Sequence, residues 1–275
     1  MRKNFAQVLK SAKIDIEAEY KRLYGLLYQE VEHSNYIGNK IRYYDVINEN
    51  FTAFWFRGTS LTLDDFNSVN EFKFDYVPQN LDINYLVNFC EYLYNLSLAV
   101  YNTVHLYNNY ASFVMEQIRR VIESIGYEQS QDNGIVIFVE KSVAAISVSE
   151  TLPQPLSYKV IAYNHHSMRG NIESKKAILL QLSNLLESKR KHLHSVNSAL
   201  EDLIFYSFNN LNLRHNNIDE TNKSKYKKFI AEMSQSNLEN YYDELYQMCL
   251  LAFLEIEQIE RTKIFNELKS KIEEI

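Results

Sequence analysis

"NIESKKAILLQLSNLLESKRKHLHSVNSALEDLI", residues 171–204, contains neither glycine nor proline, and neither occurs again before residue 275. Glycine frees the backbone and proline removes a hydrogen-bond donor, so they are the strongest breakers of regular structure. So long a run without either reads as helix. Leu179, Leu182, Leu186, Leu193, Val196, Leu200 and Leu203 recur near every third, fourth or seventh position. Such a seam needs a second helix laid against it. The expected partner is the last helix, opened by Ser236 and Glu239 as a capping box. Its apolar face is Leu245, Cys249, Ala252, Phe253, Ile256 and Ile259. "RHNNIDETNKSKYKK" links the two, with a short helix from Lys225 to Met233.

All six glycines and three prolines lie before this run. Phe5, Val8, Leu9, Ala12, Ile16, Tyr20, Leu23, Tyr24, Leu27 and Val31 mark an amphipathic first helix, with Asn4 and Gln7 as its cap. Residues 34–78 are less regular. Within them "FTAFWFRG" reads as a short strand or a buried loop, and "TLDD" caps a short helix near Asp65 to Val69. A helix begins at Asp82, and another ends at Gly126. Asp132-Asn133-Gly134 followed by "IVIFVE" predicts a hairpin, because Asn-Gly supplies the two positive φ angles of a tight turn. "KSVAAISVSE" fits strand or helix, and "PLSYKVIAYNHHSMRGN" favours a short helix ending at Gly170. The predicted fold is mainly α, a helical bundle with one small β-hairpin insertion near the middle. It divides into a tyrosine-rich helical region (1–126), the hairpin with its connecting segment (127–170) and a long-helix hairpin (171–275).

The chain is acidic, with a net charge of −6 and a pI near 5.7, which excludes a surface that coats nucleic acid throughout. Cys90 and Cys249 stand far apart in apolar surroundings and read as buried free thiols. No stretch approaches the roughly 18 apolar residues of a membrane span. The first residues lack the apolar core of a leader. A cytoplasmic protein with no membrane partner is expected. Phosphate-binding glycine loops, zinc patterns and nucleophile elbows are absent, so no cofactor and no metal is expected. His192 and His194 point roughly 200° apart on a helix and cannot share an ion.

Three constellations remain. In the link, Arg214 offers a fork for phosphate oxygens, His215 a proton carrier near neutral pH, and Asn216 and Asn217 hydrogen bonds. Lys223, Lys225, Lys227 and Lys228 follow, and Lys189, Arg190 and Lys191 precede, making a basic island. The first expectation from these residues is nevertheless a polar linker whose Arg214 and His215 cap the carbonyls of a helix end. In "YNHHSMRGN", residues 163–171, His165, His166 and Arg169 crowd the approach to a helix N-terminus that could hold an anion. In "EYLYNLSLAVYNTVHLYNNY", residues 91–110, tyrosines at helical spacing suit a core or an interface better than base stacking.

A helical pair whose link carries Arg, His and Asn resembles the HEPN superfamily of small helical domains in prokaryotic defence and toxin–antitoxin systems. The resemblance covers residues 171–275. It implies a metal-independent endoribonuclease acting as a dimer, with Arg214, His215 and Asn216 catalytic. Asn217, Lys223, Lys225, His165, His166 and Arg169 would contact the RNA. The family places its Arg four to six residues before its His, whereas Arg214 and His215 are adjacent and no Arg is expected at that distance before any His, so the assignment follows position in the hairpin. The competing expectation is a non-enzymatic scaffold or regulator that binds a protein partner or itself as a homodimer.

Overall fold

The computed structural model describes residues 15–33, 39–154 and 156–273. The chain forms two compact units, Met1–Glu140 and Lys141–Ile275.

In the first unit, α1 (Ile16–Leu27) opens on Asp15, whose side chain accepts from the Ala18 amide at 3.0 Å. The expected earlier part of this helix, Phe5 to Ala12 with its Asn4 cap, lies outside the described residues. Val31 leaves the helix for β1 (Glu30–Glu32), which pairs antiparallel with β2 (Lys40–Arg42). The chain thus has a second hairpin where one was expected. Its strands are three residues long, too short for a period-two pattern to register. After α2 (Tyr43–Asn50), "FTAFWFRG" becomes two single 3₁₀ turns, Phe51–Ala53 and Trp55–Arg57. Thr62 caps α3 (Leu63–Val69) through the Asp65 amide.

The centre of this unit is α4 (Ile83–Thr103), started by Asp82 and buried at eleven positions. α5 (Asn108–Ser124) packs against it, and Gly126 turns the chain with φ 83°. β3 (Tyr127–Asp132) and β4 (Ile135–Glu140) form the expected hairpin, with positive φ at both Asn133 and Gly134. The outer edge of β4 is satisfied by α4 side chains. Asn95 exchanges two bonds with the Val136 backbone at 2.7 and 2.9 Å, and Glu91 accepts from the Phe138 amide. Pairing an edge this way removes exposed strand groups. The tyrosine run is mostly core: Tyr92, Tyr94 and Tyr107 are buried, and the Tyr110 hydroxyl bonds the Leu26 carbonyl.

The second unit begins with α6 (Val143–Ser149), capped by Ser142, and α7 (Leu156–Ala162). The segment 127–170 is therefore not one region. Its hairpin belongs to the first unit and residues 141–170 to the second. A 3₁₀ turn, His166–Met168, leads through Gly170 to α8 (Ile172–Val196). The expected seam does not run on to Leu203. The chain breaks at Asn197, whose side chain accepts from the Leu200 amide, and α9 (Ser198–Asn210) turns back along α8. Val196 and Leu203 are exposed in consequence, while Leu179, Leu182, Leu186 and Leu193 are fully buried.

After the link and a single turn, α10 (Lys228–Ala231), α11 (Gln235–Glu273) packs on α8 and α9. Its cap is Ser234, which accepts from the Asn237 amide. The expected Ser236–Glu239 box does not form, because Glu239 is drawn to Lys175. Cys249 lies in this core and Cys90 in that of the first unit, both as free thiols. Among the described residues no helix is long and apolar enough to cross a membrane.

Candidate active site

The link between α9 and α11 is organised by Asn217, which is fully buried. Its Nδ2 donates to the carbonyls of Asn209 (3.2 Å) and Lys225 (2.8 Å), and its Oδ1 accepts from the Asn212 amide (2.8 Å). Asn212, at φ 55°, in turn accepts from the Asn217 amide through its own Oδ1. Asparagine suits this position because a short carboxamide imitates a backbone strand and tolerates the left-handed region. Asn217 is therefore spent on the loop itself. Asn216, Lys223 and Lys225 are exposed and His215 is half-buried.

Arg214 does not reach over its own helix end. Its Nε donates to Ser183 Oγ at 2.7 Å, and its guanidinium pairs with Glu187 at 2.7 Å. The guanidinium carbon lies 5.4 Å from the ring centres of Phe205 and Phe208. Only 23% of the side chain is exposed. Arg214 thus ties the link and α9 to α8.

Ser183, Glu187, Arg190 and His194 succeed one another at steps of four, three and four, which makes one stripe on α8. Glu201 of α9 faces that stripe with a side chain only 3% exposed. One of its oxygens accepts from Arg190 Nε; the other lies 3.1 Å from His194 Nδ1. Burial alone would raise Glu201, but the bonds from His194 and Arg190 outweigh it and hold the carboxyl below its ordinary 4.5. An ionised carboxylate can only accept, so Nδ1 of His194 carries the proton that faces Glu201. The His194 side chain is 62% exposed and that of Arg190 45%. Arg190 also lies 4.3 Å over the Phe205 ring, which fixes its plane. A carboxylate, an oriented imidazole and a guanidinium thus share one accessible face. The sequence marks Arg190 only as part of a basic island and His194 only as unable to share an ion with His192, yet "RKHLH" does place an Arg four positions before a His, against the expectation that none stands there. Glu201, eleven residues beyond Arg190, becomes their neighbour only because the chain turns at Asn197.

A second polar centre surrounds Lys175, which is buried at the start of α8. Its Nζ meets Glu239 and Asp243 at 2.7 Å each and lies 5.4 Å over the Tyr163 ring. Tyr163 donates to Asp243 and stacks on Tyr246 at 3.9 Å. Burial, then the Asp243 charge, push the Tyr163 phenol up. Glu239 also accepts from the Gly170 amide at 2.7 Å. At the helix N-terminus expected to take an anion beside His165, His166 and Arg169, the Gly170 amide thus donates to the chain's own Glu239, and the Ser174 amide donates to Asn171. His165 Nδ1 lies 2.7 Å from Ser167 Oγ within its turn. This segment attaches at Lys175 and the link at Ser183, eight residues and so about 12 Å further along α8. No family model matches the chain, and no curated protein or solved structure matches it significantly.

Replacing Asn217 by Ala strands two carbonyls and one amide in a buried loop. The expected loss is about 2–3 kcal/mol, read from the urea unfolding midpoint, since each buried unpaired group costs about 1–3 kcal/mol. Burial tends to raise Glu239, and its bonds from Lys175 and the Gly170 amide reverse this to a net lowering, as at Glu201. A depressed carboxyl contributes stability that is complete above the unfolded value of 4.5 and disappears as pH falls through the folded value. Urea midpoints measured from pH 6 downward should therefore decline below about pH 4.5. The decline should be shallower in Glu201→Gln, and an unchanged slope there would show that Glu201 is not the titrating group.

Proposed function

We propose that the second unit is a HEPN-like, metal-independent endoribonuclease whose chemistry lies at Arg190 and His194, held by Glu201, and not at Arg214 and His215. The supporting observation is the single buried carboxylate that fixes an exposed imidazole and an exposed guanidinium one helical turn apart. With its Nδ1 proton on Glu201, His194 presents Nε2 to an RNA 2′-hydroxyl. Removal of that proton lets the 2′-oxygen attack the adjacent phosphorus. A 2′,3′-cyclic phosphate forms as the bond to the 5′-oxygen breaks, and the imidazolium returns its proton to that leaving oxygen. Arg190 would neutralise charge on the phosphorane, a role suited to a planar fork that stays charged at all working pH values. Lys189 and Lys191 flank the site on α8 and would draw the phosphate backbone toward it.

The test is incubation of the purified chain with mixed single-stranded RNA in EDTA. Wild type should produce discrete fragments ending in cyclic phosphate. His194→Ala should lose at least about 100-fold in rate, the scale of a general base. Arg190→Lys should lose rate too, because a point charge does not reproduce the fork. His215→Ala and Asn216→Ala should cleave as wild type does. Intact RNA with folded wild type would sink the proposal, and loss confined to His215→Ala would return the chemistry to the link.

A further inference from the structure

The turn that brings Glu201 to Arg190 and His194 is made by one residue, Asn197, with four hydrogen bonds. The Asn197 amide donates to the Leu193 carbonyl at 2.7 Å, which closes α8, and the Asn197 carbonyl accepts from the Glu201 amide at 3.1 Å. Its side-chain Oδ1 accepts from the Leu200 amide at 3.0 Å. Its Nδ2 donates to Glu255 Oε1 at 3.1 Å. The first three bonds stay within the corner between α8 and α9, and the last reaches α11, 58 residues further on. His194 follows Leu193 and Glu201 follows Leu200, so the imidazole and the carboxylate of the site leave the chain on either side of this corner.

We propose that Glu255 is a positioning residue for the Arg190, His194 and Glu201 site, acting through the Asn197 carboxamide. An asparagine side chain offers an acceptor at one end and a donor at the other, in nearly the same shape. The Leu200 amide needs the acceptor. The Glu255 carboxylate needs the donor, because it has no hydrogen to give. Partners of opposite kind leave the carboxamide one orientation and hold it from both ends. Without Glu255 a single bond to one amide remains, and the side chain can pivot about it. α9 then loses the fixed start of its first turn, and Glu201 lies in that turn. The Glu201 carboxylate has to meet His194 Nδ1 and Arg190 Nε together, so a small slide of α9 along α8 breaks the shared contact. Packing alone does not explain a carboxylate at position 255. Its Oε2 is buried and has no hydrogen-bond partner among the described residues, which is a cost that an apolar side chain would not carry.

This role rests on the assignment of chemistry to Arg190 and His194, but the corner can be read without RNA. Nitrogen NMR spectra of the neutral His194 imidazole, assigned by comparison with His194→Gln, should show the proton on Nδ1 in the full wild-type chain. In Glu255→Leu the ring should shift toward the mixed tautomers of a free imidazole, with near-ultraviolet circular dichroism unchanged. Glu255→Gln keeps an acceptor and should match wild type. Asn197→Asp with Glu255→Leu should restore the wild-type ring, because aspartate caps the Leu200 amide with either oxygen and needs no second partner to orient it. In the cleavage assay Glu255→Leu should lose about 10- to 100-fold in rate at saturating RNA, and the other two variants should regain it. A wild-type ring in folded Glu255→Leu would overturn the role of Glu255. So would mixed tautomers in Glu255→Gln or in the double variant, which also decides the matter if Glu255→Leu alone does not fold. Wild type that leaves RNA intact would remove the nuclease reading, and the His194 spectra would still decide what Glu255 does.

Discussion

A chain that must turn without glycine or proline has to turn with side chains. The breaks that bound α8, α9 and α11 are made that way. Asn171 caps α8 through the Ser174 amide, Asn197 separates α8 from α9, Asn212 and Asn217 close the link, and Ser234 starts α11. Short polar side chains compete with the backbone for hydrogen bonds, which is why they interrupt helices and also complete their ends. The density of asparagine around residue 212 is thus a structural device, needed because the cheaper breakers are missing. The fold of the second unit follows from where these residues fall.

Local signals were legible in the sequence, and those that depend on packing were not. Helical periodicity exposed α4, α5, α8 and α11, and Asn133-Gly134 exposed its hairpin, because those signals are local. The β1–β2 hairpin gave no signal because three residues cannot show alternation. Asn197 went unread within an apparently continuous leucine seam. One asparagine costs a helix interior little, and only the packing of α9 back on α8 decides that it ends one. Ser236 and Glu239 have the spacing of a capping box, yet Lys175 offers Glu239 a charge-assisted bond, which is stronger than a neutral one.

The site was less legible than the fold for a related reason. Arg214 and His215 are conspicuous because they are adjacent, but adjacency in a turn says nothing about where two side chains go. Arg190 and His194 lie inside a run of basic residues, where each resembles an ordinary solvated position. What distinguishes them is Glu201, and its proximity depends on the turn at Asn197. A carboxylate with 3% of its side chain exposed would be costly to bury alone, so its two partners are also a condition of the packing.

That double duty constrains how α8 can be used. One face carries Leu179, Leu182, Leu186 and Leu193 into the core, and the adjoining stripe carries Ser183, Glu187, Arg190 and His194. The guanidinium carbons of Arg190 and Arg214 lie 4.3 and 5.4 Å from the Phe205 ring centre. Glu187 lies within 4 Å of both and offsets part of their mutual repulsion. Arg214 therefore matters to any chemistry at His194 by holding Glu187 and Phe205 where Arg190 needs them. An arginine in that position acts through its neighbours, and its loss would disturb the orientation of Arg190 before it changed any contact with a phosphate.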